Sequence, residues 1–128
     1  MSSKNKKLIL TIYIPCSICE NACSKVSFFV RKLSKKEPEN FNVELIGFTQ
    51  DLFLALTDDD FYNVKNLFER GDFEKIHKFD LELAPYYCPE CKMNYCKEHW
   101  DREITYEGQF YDAEIGFCPR RHRKMLFD

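Results

Sequence analysis

The chain has 128 residues, 45% hydrophobic and 16% aromatic, with a formal net charge of −2. That length suits one domain with a core of limited size, and the apolar content excludes a disordered chain. No run reaches the about eighteen apolar residues of a membrane span, and the weak net charge disfavours a dedicated nucleic-acid binder, which needs a concentrated basic field.

The opening MSSKNKK leads into LILTIYIP with no small-residue cleavage site after it, so it reads as a strand and not as a signal peptide. Leu8–Ile14 is apolar and rich in β-branched residues, and Pro15 ends it. Lys25–Leu33 suits a second strand, with Val26, Phe28 and Val30 on one face. Residues 34–40 are polar, contain Pro38 and read as a loop. Phe41–Phe48 is a third strand with Val43 and Leu45 on one face. Thr57 before Asp58, Asp59 and Asp60 is a helix-start signal, because the hydroxyl caps and the carboxylates complement the helix dipole. Phe61, Val64, Leu67 and Phe68 follow at helical spacing, and Gly71 ends the helix. Phe73–Phe79 is a short second helix. Glu103–Gly116 reads as a hairpin around Glu107-Gly108, and Arg120–Phe127 as one or two helical turns.

Seven cysteines are many for this length, and the odd number does not suit an oxidised secreted scaffold. Most sit in short pairs: Cys16-Ser-Ile-Cys19, Cys88-Pro-Glu-Cys91, Cys96-Lys-Glu-His99 and Cys118-Pro-Arg-Arg-His122. Two intervening residues let a tight turn aim both donors at one tetrahedral ion. Three between Cys and His do so because the imidazole is longer. Thiolate and imidazole shells favour Zn²⁺, in a reducing, cytoplasmic setting. Eight ligands make two four-coordinate sites. The crossed pairing gives Cys16, Cys19, Cys96 and His99 at one site and Cys88, Cys91, Cys118 and His122 at the other. Sequential pairing and a nested pairing, with Cys88, Cys91, Cys96 and His99 on one ion, stay open. The crossed pairing is preferred because it clips the distant first pair to the C-terminal region. The role expected of both ions is structural, since the ligand sets leave no open position. Binding would then supply folding free energy on the order of 10 kcal/mol per site. Cys23 reads as a buried apolar thiol and His77 as an ordinary surface or packing residue. Trp100, Tyr95 and Phe117 are expected to pack around the metal sites.

Charge is unevenly spread. Residues 1–36 carry eight Lys or Arg against one Glu, and residues 37–82 carry four against twelve Asp or Glu. The tail is basic again at Arg120, Arg121, Arg123 and Lys124. Nucleic-acid binding would rest on that tail together with the N-terminus.

The order of the pairs resembles cross-brace zinc modules, the FYVE, RING and PHD fingers. Cys88–His99 is similar to the middle of FYVE domains, but the segment before it, Glu82 to Tyr87, is acidic and apolar where those domains are basic, so lipid headgroup binding is not implied. Cys16-Ser-Ile-Cys19-Glu20 and Cys118-Pro119 with His122-Arg123 resemble the opening and the end of RING fingers. That likeness implies an adaptor of ubiquitin-ligase type that uses Ile18 and Arg123, although the first gap is longer here and the last pair has three intervening residues. A pattern of Ala84-Pro85-Tyr86-Tyr87-Cys88-Pro89-x-Cys91, Tyr95-Cys96-x-x-His99-Trp100 and Gly116-x-Cys118-Pro119-x-x-His122 is similar to that of a group of bacterial zinc-binding proteins of unassigned function.

The resulting expectation is an α+β chain, 1–128, as a single composite domain. Small antiparallel strands and one main helix (1–85), carrying the first Cys pair, join a treble-clef or cross-brace-like zinc module (86–128). Its expected role is that of a non-catalytic module holding two Zn²⁺ and binding a protein partner, away from membranes.

Overall fold

The computed structural model describes residues 6–32, 34–48 and 51–127. The MSSKN start and Leu33, the end of the expected second strand, lie outside the described residues. The architecture is mixed α/β, and every strand pairing among the described residues is antiparallel.

Strands β1 (Lys6–Pro15), β2 (Ala22–Arg31), β3 (Asn40–Ile46) and β4 (Leu52–Leu56) form one sheet in sequence order. Alternation along the strands gives it two faces. The register sets Ile12 beside Val26 and Leu45, and Leu10 beside Phe28, Val43 and Leu54. Helix α1 (Asp58–Arg70) covers this face with Phe61, Val64, Leu67 and Phe68, all buried. Phe28 meets the rings of Phe61 and Phe68 edge-on, each at 5.6 Å between centroids. The helix starts where the sequence indicates: the Thr57 hydroxyl accepts from Asp60 N at 3.2 Å. It stops at Gly71, whose φ of 68° is a left-handed conformation that suits glycine. Helix α2 (Phe73–Phe79) follows, capped by the Asp72 carboxylate on Lys75 N.

The C-terminal part is a short hairpin, β5 (Tyr87–Cys88) with β6 (Met93–Asn94), and a three-stranded sheet of β7 (Asp101–Glu107), β8 (Phe110–Phe117) and β9 (Arg123–Phe127). One buried cluster runs from Ile14, Val26 and Phe28 through Tyr86, Tyr95 and Trp100 to Leu126, and so joins both parts of the chain. No helix among the described residues is long and apolar enough to cross a membrane.

One expectation is corrected, and one strand carries no sequence signal strong enough to predict it. Residues 123–127 are a strand, not helical turns: Lys124 and Leu126 point inward while Arg123 and Met125 point out, a period of two. The strand without such a signal is Leu52–Leu56, in which Leu52, Leu54 and Leu56 pack on the core and Phe53 is exposed between them.

Candidate metal centres

The hairpin joining β1 to β2 carries Cys16 and Cys19 at its tip, beyond Pro15. It is tied to the C-terminal part by a hydrogen bond from Ser17 N to Asn94 O of 2.8 Å. Residue 94 closes β6, so Cys96 and the 3₁₀ turn Lys97–His99 emerge beside the tip. The donor atoms of Cys16, Cys19, Cys96 and His99 all lie within 4.8 Å of one another. Cys19 Sγ and Cys96 Sγ are 3.6 Å apart, across 77 positions of sequence. Nε2 of His99 is buried and has no hydrogen-bond partner among the described residues, which leaves its lone pair free for an ion.

The second cluster is built by the β5–β6 hairpin and the turn from β8 to β9. The donors of Cys88, Cys91, Cys118 and His122 also lie within 4.8 Å of one another. Nδ1 of His122 faces three sulfurs, 3.6 Å from Cys88, 3.2 Å from Cys91 and 3.4 Å from Cys118. Its other nitrogen, Nε2, is 3.2 Å from the Glu90 carboxylate. The two knuckles are closed by residues in left-handed conformation, Lys92 at φ 57° and Arg121 at φ 68°. Lys92 N donates to Cys88 O at 2.7 Å and Arg121 N to Cys118 O at 2.8 Å. A non-glycine residue in this region costs on the order of 1 kcal/mol, a cost that the closed knuckle offsets when four donors converge.

The backbone around the sulfurs is arranged for thiolates. Ile18 N and Cys96 N each donate to Cys16 Sγ at 3.4 Å. Burial raises the Cys16 thiol, but backbone donors from Cys19, Cys96 and Ile18 outweigh it and hold the pKa at about 6. Burial also works against Cys118, where donors from His122 and Arg120 prevail and lower the value. Cys88 and Cys96 are pushed up to about 11, by burial first, which neighbouring thiols reinforce through hydrogen bonds. Within each cluster, therefore, one thiol is held below its ordinary value and another above it. Close-packed sulfurs cannot all carry charge without a cation among them.

These are the two Cys/His clusters among the described residues, and each has three Cys and one His. The structure thus brings together the crossed sets. It assembles neither the sequential nor the nested set. Cys23 stands apart: it is fully buried, its thiol faces Pro15 O at 3.5 Å, and burial raises its pKa. His77 is half-buried beside the Tyr87 ring at 5.7 Å, and burial, then the charge of Lys124, lowers its pKa. Trp100 and Tyr95 are buried in contact, ring to ring at 6.1 Å, and the Trp100 indole donates to Tyr95 O at 3.0 Å. Phe117 is half-buried under the Arg121 guanidinium.

Two residues near the clusters escaped the sequence reading. Glu90 lies inside a ligand pair, where a carboxylate reads as ordinary surface charge. Lys124 lies in a basic run, yet it is buried and its ammonium donates to the carbonyls of Ala84 and Tyr87. Those carbonyls lead directly into Cys88, so Lys124 fixes the entry to the second cluster.

No curated protein and no solved structure matches the chain. A family model does match it over residues 6–128, a span that holds all eight clustered side chains. The chain belongs to the family defined by that model, the domain of unknown function DUF8328.

Proposed function

We propose that the two clusters hold Zn²⁺ as structural ions, and that the chain is a non-catalytic interaction module of cross-brace, treble-clef-like type, working in a reducing compartment such as the cytoplasm. The observation that carries this reading is the completeness of the two donor sets. Tetrahedral zinc, with Zn–S of about 2.3 Å and Zn–N of about 2.0–2.1 Å, sets sulfurs about 3.8 Å apart and sulfur and nitrogen about 3.6 Å apart. The sulfurs here are 3.6 and 3.7 Å apart and the sulfur–nitrogen distances are 3.2 to 3.6 Å. Four protein donors fill each shell, whereas catalytic zinc keeps a position for water. Two such ions would cross-link the N-terminal sheet to the C-terminal strands, in a reading that treats residues 1–128 as one composite domain.

A protein partner suits the metal-bearing end. Ile18 is 53% exposed between the first two ligands, and Met93 is 46% exposed on the adjoining hairpin. The Ser17–Asn94 hydrogen bond brings these two apolar side chains to the same end of the molecule. Exposed Ile18 and exposed Arg123 also support the narrower reading of a RING-like adaptor.

Elemental analysis of protein purified without added metal tests the zinc reading. Two zincs per chain are expected, and fewer than one per chain would overturn it. For the docking end, an Ile18→Glu, Met93→Glu double variant is expected to keep its zinc and lose the partner recovered from native cells. Undiminished recovery would remove that surface from consideration.

A further inference from the structure

We propose that the sheet face turned away from α1 binds single-stranded nucleic acid, with bases stacking on Tyr13 and Phe53 and phosphates running over Lys6, Lys25 and Arg31. This goes beyond the interaction module above and uses a different surface, independent of the metal clusters.

The register defines that face. Tyr13 pairs with Lys25, Leu8 with Phe29, and Lys6 with Arg31 across β1 and β2, while Phe53 lies on the same side of β4. No helix covers it. Phe29 is buried, yet it is outside the main core cluster. It is covered instead by Phe53, ring to ring at 5.7 Å, and by the Lys6 ammonium 4.1 Å above its centroid. Tyr13 and Phe53 are 64% and 52% exposed. An antiparallel sheet presenting exposed rings is a stacking platform for unpaired bases, because every base has a π-face. With strands about 4.8 Å apart, rings on β1 and β4 are about 14 Å apart across the sheet, so they serve different bases.

The charges point to a polyanion. Lys6 and Arg31 are directly opposite across the ladder, a pairing of like charges that destabilises a sheet left to itself. Neither they nor Lys25 form an ion pair among the described residues, and Arg31 Nε is buried without a hydrogen-bond partner. Among the described strand residues, Glu44 is the one acid on this face. The acids gather on the other side, at Asp58, Asp59 and Asp60 of α1. A net charge of −2 thus averages over two faces of different sign. Lys6 and Arg31 also sit at the end of the strands opposite the Cys16–Cys19 tip, so changing them leaves the ligands alone.

The test uses the full chain with its metal. Fluorescently labelled oligouridine and oligodeoxythymidine of about twelve nucleotides are titrated at low and moderate salt, with a duplex and a polyglutamate peptide as competitors. The expected result is salt-sensitive binding of single strands, weakened about tenfold by Tyr13→Ala and by Phe53→Ala. Lys6→Glu is expected to weaken binding and flatten its salt dependence. Metal content and circular dichroism report folding. Tyr13, exposed at the surface, keeps the test valid if Phe53→Ala does not fold. Absence of binding at low salt overturns the proposal. So does equal competition by the duplex or the peptide, or loss of binding only when Arg120, Arg121 and Arg123 are replaced by Glu.

Discussion

Glu90 sits inside the Cys88–Cys91 knuckle, and its carboxylate is 3.2 Å from Nε2 of His122, whose Nδ1 faces the sulfurs of the same cluster. The loop that supplies two donors therefore also orients a third. A carboxylate on the far nitrogen fixes the tautomer of a ligating imidazole and raises its basicity. Glu90→Ala is expected to weaken metal retention at this cluster by about tenfold, the low end for such partners, because Glu90 is exposed. Chelator competition, read as the loss of one metal before the other, measures it. Equal loss from both clusters in wild type and variant would refute the role.

Cys23 and Cys96 are both buried thiols, but only Cys96 belongs to a cluster. Cys96→Ser is expected to reduce the metal content from two to one and to destabilise the fold by several kcal/mol. Cys23→Ala is expected to keep both metals and to cost about 1–2 kcal/mol as a small cavity. Metal analysis beside thermal unfolding separates them.

Gly116 has no room for a side chain. A Cβ there would lie 2.7 Å from Leu126 Cδ1 and 2.9 Å from a ring carbon of Trp100. Gly116→Ala is expected to destabilise the chain by about 1–3 kcal/mol through overpacking. Denaturant unfolding followed by Trp100 fluorescence reads the shift.

Burial, with Lys124 nearby, holds the His77 pKa below its ordinary value. The unfolded chain then takes up a proton near pH 6.5 that the folded chain refuses. The stability tied to this neutral imidazole is present above about pH 6.5 and is lost as pH falls toward the lower folded value. Wild type is therefore expected to lose more stability than His77→Gln between about pH 7.5 and pH 5. Parallel unfolding curves for the two proteins would contradict this. Protonation of the metal ligands affects both alike and cancels in the difference.

The candidate ligands and most of the N-terminal elements were legible in the sequence because their signals are local. Thr57 with three aspartates, and Gly71 thirteen residues beyond the first of them, mark both ends of α1. Short Cys and Cys/His spacings mark the donor pairs. Which pair joins which is not local: spacing alone allows three pairings, and only the position of the Cys16–Cys19 tip beside Cys96 and His99 separates them. The last strand is hidden in the sequence for a related reason. Lys124 counts as polar by type, so its inward position erases the alternation, and only the carbonyls of Ala84 and Tyr87 explain why it is inside. Leu52–Leu56 is five residues long, too short for its alternation to stand out between stronger signals.

The crossed grouping also sets an order of assembly. Cys19 has its cluster partner 77 positions later, and Cys88 has His122 34 positions later. During synthesis, the β1–β2 hairpin emerges with only two of the four donors of its cluster, Cys16 and Cys19. The first cluster is completed only when residue 99 is available and the second only when residue 122 is. An ion bound there would act as a late clasp, and a ribosome halted before residue 96 would leave the β1–β2 hairpin with open thiols exposed to oxidation.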